Sequence, residues 1–329
     1  MDPKGLPDRR PSHPGAAGSV IDQIVEVASQ FYVLRRTQVD IAHSMGLDPS
    51  TVSRYLRRAR DEGIVRIEIR PPMDEQAGLG LALADRYGLA RAIVVLGEDL
   101  SVEDVASVAA DHIGGLLQSG MRLGVSWGQT LSAVVHSLPP GIVSDLDIAQ
   151  TAGGLGNTTL GVQGSELVRY LAELYPPSHV HYLHAPAIVD SVDIQQAILS
   201  DSSVQAALAA AVPSELALIG IGTLGDDATL VRGGHLSAED RMLLLEHGAV
   251  GTMNTRFFDD EGRPVADLEE RTIAINWEEL RRVPTVVAVA VGTAKCRAIR
   301  GALKTGCIDI LVTDAPTARL LLEAAPAAP

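Results

Sequence analysis

Between residues 20 and 34 the apolar side chains Ile21, Ile24, Val25, Ala28, Phe31 and Tyr32 recur every three or four positions, the period of a helix with one buried face. Thr37 stands where a cap would open a second, short helix over 38–45, which Gly46 stops. Asp48 or Ser50 can start a third helix that runs to about Asp61 and ends at Gly63. Residues 64–70, Ile-Val-Arg-Ile-Glu-Ile-Arg, alternate apolar and polar up to Pro71-Pro72, the pattern of a half-buried strand. Three helices followed by a strand predict a winged helix-turn-helix.

From residue 74 the pattern changes. A helix over 74–87, able to connect domains or to dimerise, precedes apolar strand-like runs at 92–96, 122–127, 146–151, 180–183, 216–221, 285–291 and 308–313. Helical periods lie between most of them, at 102–118, 166–175, 238–247 and 294–304. Alternating β and α elements imply an α/β domain with a mainly parallel sheet covered on both faces. No internal repeat is visible. The Pro-, Gly- and Arg-rich first 18 residues read as a disordered leader, and residues 324–329 as an Ala/Pro tail. The expected organisation is a leader at 1–18, the winged helix-turn-helix at 19–72, and a linker helix with the large domain at 73–329.

Charge supports this division. The whole chain carries −14, which excludes a protein that coats nucleic acid along its full length. Yet residues 35–70 hold eight arginines against five acids, a net +3, while residues 71–329 carry −16. A basic island on an acidic body is the pattern of a small DNA-binding module attached to a domain that does not bind DNA. With 46% apolar but only 3% aromatic residues, the core must come mainly from Ala, Val, Leu and Ile. No run approaches the roughly 18 apolar residues of a membrane span, and the N-terminus lacks the apolar segment of a secretory signal. A cytoplasmic protein with no membrane partner is therefore expected. Cys296 and Cys307 are too few for a disulfide framework or a four-ligand metal site, and read as small core residues in a reducing compartment.

Residues 37–60 carry the DNA-binding logic. Ala42 is small where two helices cross, Gly46 permits the left-handed turn between them, and Ile41, Leu47, Val52 and Leu56 lock the pair. Thr37 and Gln38 at the start of the second helix, with Ser50, Thr51, Ser53, Arg54, Arg57 and Arg58 on the third, are the candidate contacts to base edges and phosphates of double-stranded operator DNA. Arg66 or Arg70 on the wing could reach the flanking backbone.

Four glycine-containing loops follow strand-like runs, where parallel sheets bind ligands. They hold Gly124, Ser126 and Gly128; Gly153, Gly154, Gly156 and Asn157; Gly220, Gly222 and Thr223; and Gly292 with Lys295. Glycine lets backbone N–H groups approach an anion, and the following helix start adds a favourable dipole. Lys295 is one of three lysines against 24 arginines. In the first turn of its helix it opposes the dipole by roughly 0.3–1 kcal/mol, a penalty that a bound phosphate or carboxylate would offset.

The stretches 37–70, 124–130, 183–189 (Leu-His-Ala-Pro-Ala-Ile-Val), 248–262 and 291–322 resemble the SorC family of sugar-responsive regulators, sometimes grouped as SorC/DeoR. The resemblance spans about residues 20–323. It implies an effector domain related to sugar-phosphate isomerase and CoA-transferase folds, and a homo-oligomer, dimer or tetramer, on DNA. It also implies a sugar, polyol or sugar-phosphate effector, with no cofactor and no metal. Carried over, Ser126, Gly153, Gly154, Gly222, Thr223 and Lys295 would surround the effector, with Gly124, Gly128, Thr252 and Asn254 as further candidates. Two positions depart from the family pattern. Thr252 stands where members usually carry Glu or Asp, and Ser165 near a position where many carry Asn. A carboxylate accepts sugar hydroxyls far more strongly than a threonine does.

The competing reading is a phosphosugar isomerase or hydrolase fused to a DNA-binding module. Isomerisation through an enediol needs a positioned carboxylate base, and Thr252 counts against one. His179, His181 and His184 invite a metal reading, but on a strand His184 faces away from the other two. Asp226-Asp227 reads as solvated turn charge, and Asp259-Asp260-Glu261 as the turn of a hairpin. No Ser-His-Asp arrangement follows from spacing, so no catalytic residue is expected.

Overall fold

The computed structural model describes residues 20–34, 36–65, 73–97, 99–155 and 163–323. The leader, the wing strand from Arg66 to Arg70, Gly156 and Asn157, and the Ala/Pro tail lie outside the described residues. The chain divides into two units, residues 1–70 and 71–329.

The first unit holds α1 (Val20–Ala28), α2 (Gln38–Met45) and α3 (Pro49–Asp61). Its core is built from Ile24, Val27 and Ala28 of α1, Ile41 and Ala42 of α2, and Val52, Leu56 and Ala59 of α3. The first helix does not run unbroken to residue 34; from Ser29 to Val33 it widens into a π-helical turn. Within that turn Gln30 is buried, donates to Glu26 at 2.7 Å and accepts from the Arg36 guanidinium at 2.8 Å. Thr37 caps α2 as expected, its Oγ1 accepting from the Asp40 N–H, and Gly46 ends the helix at φ +66°. That hydroxyl also donates to the Asp40 carboxylate, which holds its pKa below the usual range.

The second unit begins with α4 (Met73–Tyr87), β1 (Arg91–Val95), α5 (Val102–Leu116), β2 (Arg122–Val125) and α6 (Gln129–Ser137). It continues with β3 (Asp147–Gln150), α7 (Gly164–Leu174), β4 (His179–His181), α8 (Val192–Leu199), α9 (Ser202–Ala211) and β5 (Leu216–Gly222). Then come α10 (Thr229–Arg232), α11 (Ala238–Glu246), β6 (Ala249–Met253), β7 (Arg256–Asp259) and β8 (Pro264–Val265). The chain closes with α12 (Trp277–Arg281), β9 (Thr285–Val289), α13 (Cys296–Lys304), β10 (Ile310–Asp314) and α14 (Ala315–Glu323).

Seven strands form a parallel sheet in the order β1-β10-β9-β5-β2-β3-β4. Strand periodicity supplies both faces. Leu216, Leu218, Val287 and Val289 pack with α5, α6 and α7, while Ala217, Ile219, Val286 and Ala288 pack with α4, α13 and α14 on the opposite side. The 74–87 helix thus belongs to this core: Leu83 is buried in it, and the Tyr87 hydroxyl donates to Leu321 O at 3.0 Å. An antiparallel arm, β6-β7-β8, joins the carboxyl end of β5 through the pairs Ile221↔Met253 and Gly222↔Thr252. Among the described residues no helix is long and apolar enough to cross a membrane.

Candidate functional site

Strand order creates one reversal, between β2 and β5. From β2 the chain moves outward through β3 and β4; it returns at β5 and leaves the other way through β9 and β10. Loops after two such strands diverge and open a crevice beyond their carboxyl ends. A cavity of about 130 Å³ lies at this place.

Three segments supply its chemistry. The first follows β2: Ser126 is buried and donates its N–H to Leu218 O at 3.1 Å, and Gly128, at φ +143°, opens α6 without a side-chain cap. Gln129, Thr130 and Leu131 also line the cavity and precede the first bond of the helix, Ser132 N–H to Gly128 O at 2.9 Å. Their N–H groups have no acceptor within the helix, the usual arrangement for receiving an anion.

The second segment carries Lys295, at the end of a 3-10 turn (Thr293–Lys295) that leads into α13. Asp314 holds this loop by accepting from the Gly292 N–H at 2.7 Å while capping α14 through Thr317. Burial pushes the Lys295 ammonium pKa below its ordinary value, opposed by the negative charge of Asp227. Asp227 lines the cavity rather than belonging wholly to a solvated turn; its neighbour Asp226 pairs with Arg241 at 2.5 Å.

The third segment is the β6–β7 hairpin, whose Thr252, Asn254 and Thr255 are buried and line the cavity. Asn254 is committed to the scaffold: its Oδ1 accepts from the Thr151 hydroxyl at 2.6 Å and its amide donates to Thr151 O and Ile275 O. Arg256, equally buried, donates to Ile275 O and Ala274 O at 2.7 Å each and pairs with Glu269.

Of the candidates read from sequence, Ser126, Gly128, Gly222, Thr223, Thr252, Asn254 and Lys295 come together at this cavity. Gly124, Gly153 and Gly154 do not line it, and steric fit accounts for the first two. A Cβ on Gly124 would lie 2.8 Å from Ser214 Oγ, and one on Gly153 would lie 2.5 Å from Pro186 O. Gly154 pairs through its backbone with Ala185 and Ala187. Sequence reasoning missed Asp227 and Thr255, which no local spacing marks, and gave Trp127 no role.

In the first unit, α3 buries Val52, Leu56 and Ala59 and exposes Ser50, Ser53, Arg54, Arg57 and Arg58. Ser50, Ser53, Arg54 and Arg57 are spaced as one helical stripe opposite the core, the geometry of a recognition helix. Thr51 and Gln38 are half-buried beside them, and Arg58 is paired with Glu62. Thr37 spends its hydroxyl on its own helix.

Among the histidines, His181 bonds Asp147 at 2.6 Å and His184 stacks on Tyr182. No group of three possible ligands that could hold a metal occurs among the described residues.

Residues 72–323 match the family described as "Putative sugar-binding domain", and residues 35–66 match "Winged helix-turn-helix DNA-binding". The deoxyribonucleoside regulator of Bacillus subtilis is 29% identical over 304 residues, covering 91% of this chain and 96% of its own length. The transcriptional regulator LsrR of Klebsiella pneumoniae is 30% identical over 318 residues, covering 94% of this chain and 96% of its own. The crystal structure of the full-length sorbitol operon regulator SorC from Klebsiella pneumoniae matches with a TM-score of 0.81 at 28% identity, over 93% of this chain and all of that one.

Proposed function

The chain belongs to the SorC/DeoR family of sugar-binding transcriptional regulators, and on that premise we propose that a phosphorylated sugar or polyol, seated at the β2–β5 crevice, controls its affinity for an operator. The observation that carries the effector part is the cavity at the topological switch point, where the half-buried Lys295 and the open start of α6 line one space. A phosphate there accepts charge-assisted hydrogen bonds from the ammonium and from backbone N–H groups. Relatives named for a sorbitol operon and for deoxyribonucleosides support a sugar-like ligand. The protein is a regulator rather than an enzyme, like those relatives.

The lowered Lys295 pKa gives a sign to the pH dependence. Only the protonated ammonium attracts the anion, and a depressed pKa means that the proton leaves at lower pH than from an exposed lysine. Effector affinity should therefore fall as pH rises, starting below the ordinary lysine range. Calorimetric titration across alkaline pH checks this: Lys295→Arg, which stays charged, should lose that decline, and a parent affinity flat in pH would contradict the assignment.

On the DNA side, Ser50, Ser53, Arg54 and Arg57 read base edges and phosphates, with Thr37, Gln38, Thr51 and Arg58 alongside. Arg54→Ala or Ser53→Ala is expected to weaken operator binding by on the order of 1–3 kcal/mol, the value of a lost base contact, with both units still folded. Operator affinity unchanged in both variants at fixed salt would remove the recognition-helix assignment. A module of net charge +3 gains limited affinity alone, so a homo-oligomer on paired half-sites completes the proposal. A footprint on a single unpaired site, bound by monomers, would contradict that part.

A further inference from the structure

The β6–β7 wall of the cavity holds more hydrogen-bonding capacity than the protein uses. Resting on the effector site proposed above, we infer that this wall, together with Trp127 of the β2–α6 loop, selects an effector with an sp2 acceptor oxygen over the corresponding alcohol, and that Thr255 and Trp127 read it. That oxygen is a carbonyl or carboxylate of an oxidised sugar.

The hairpin turns through only two residues, Asn254 and Thr255, between the paired Met253 and Arg256. Both have positive φ, +52° and +63°. Asparagine tolerates this region, whereas a β-branched threonine is strained in it, and glycine is the ordinary occupant of the second position. Strain of this kind persists where surrounding structure enforces it, and it clusters at ligand sites. Here the Asn254 and Arg256 bonds to Thr151, Ala274 and Ile275 enforce it.

The strained residue is 1% exposed, and its Oγ1 has no partner among the described residues. Thr252, 5% exposed, has an equally unpartnered Oγ1, and so does the buried Nε1 of Trp127. All three residues line the same cavity. Among the described residues seven buried side-chain polar atoms lack a partner, and three of the seven belong to residues of this one cavity; buried polar atoms are costly to leave unbonded, and a ligand seated here is what would complete them.

Their chemistry favours an acceptor. The indole N–H only donates, and each threonine hydroxyl has a proton to place. The wall's side-chain acceptor, Asn254 Oδ1, is already taken by Thr151. A sugar hydroxyl accepts two of these protons but brings one of its own, which must go to a threonine oxygen or to the Asp227 carboxylate. A carbonyl or carboxylate oxygen brings lone pairs and no proton, and so satisfies the donors without a competing demand.

The test uses the full chain and matched sets of four-, five- and six-carbon sugar phosphates, each set comprising the open-chain ketose, the aldonate and the alditol. For the five-carbon set these are ribulose 5-phosphate, ribonate 5-phosphate and ribitol 5-phosphate. Calorimetry is expected to show, in at least one set, an oxidised member binding about ten-fold or more tightly than its alditol, the worth of one or two hydrogen bonds. A ketose preference assigns the carbonyl, and an aldonate preference the carboxylate. Thr255→Val keeps the side-chain shape and removes the hydroxyl, and Trp127→Phe removes the N–H. Each should shrink that preference to about two-fold or less by weakening the oxidised member more than its alditol, with ligand-free melting curves confirming that the variants fold. Oxidised members that never exceed their alditols overturn the inference, as does a preference that survives both substitutions. If alditol phosphates still release the operator, the effector site stands and only this inference falls; if no sugar phosphate releases it, both fall.

Discussion

Replacing Arg256 with alanine is expected to lower the stability of the α/β unit by about 3–5 kcal/mol, the range for breaking a buried ion pair. The guanidinium side chain is 6% exposed and satisfies two carbonyls, Ile275 O and Ala274 O, besides its pairing with Glu269. Alanine leaves Ala274 O and a partly buried carboxylate without their arginine partner, leaves Ile275 O with only the Asn254 amide at 3.4 Å, and opens a void behind the β6–β7 turn. Burial lowers the Arg256 pKa, but arginine stays charged near neutrality, so the pair is ionic throughout the working range. For a domain of this size each kcal/mol shifts the melting temperature by about 2–4 °C, so a fall of roughly 6–20 °C should appear in thermal unfolding followed by circular dichroism. Arg256→Lys should recover only part of the loss, because an ammonium cannot reproduce the planar fork that serves three acceptors. A melting temperature within one or two degrees of the parent, by the same scaling, would mean that the pair contributes little to the fold.

The second large effect concerns binding. Lys295→Ala should weaken a phosphorylated effector by about 1.5–3 kcal/mol, the loss of a hydrogen bond to a charged group, or roughly ten- to over a hundred-fold in affinity. Operator affinity without effector should barely change, since Lys295 lies in the second unit and the recognition helix in the first. The variant should therefore hold its operator at effector concentrations that shift the parent. Calorimetry showing the same affinity for a phosphosugar in parent and variant would reduce Lys295 to a half-buried lysine with no ligand role.

How much of this was legible in the sequence depended on whether the cause was local. The helix-turn-helix was readable because its determinants sit within a few residues of what they control: Thr37 caps its own helix, and Gly46 takes the left-handed turn that ends it. The seven parallel strands were readable from apolar runs for the same reason. The π-helical widening at Ser29–Val33 was not, since a helical period continues through it.

At the effector site, Lys295, Ser126, Gly128 and Thr223 follow strand ends and could be found by position. Asp227 and Thr255 could not. Thr255 reaches the cavity because β6 pairs antiparallel with the end of β5, a contact across thirty residues between Gly222 and Thr252. Glycine was the ambiguous signal. Gly128 opens a helix at the cavity, whereas Gly124 and Gly153 are small because a Cβ would collide with Ser214 or Pro186. A sequence shows the same letter for both causes.

Operator release by a small phosphosugar, without chemical change in that sugar, separates a regulator from an enzyme at this site. DNA fragments selected by the protein from a random pool, carrying a fluorescent label, would be followed by anisotropy as sugar phosphates are added, with the sugar recovered and assayed afterwards. One class of phosphosugar is expected to shift DNA affinity in the parent, to do so far less in Lys295→Ala, and to be recovered intact. DNA affinity indifferent to every sugar phosphate, together with turnover of one of them by the pure protein, would contradict the regulator assignment.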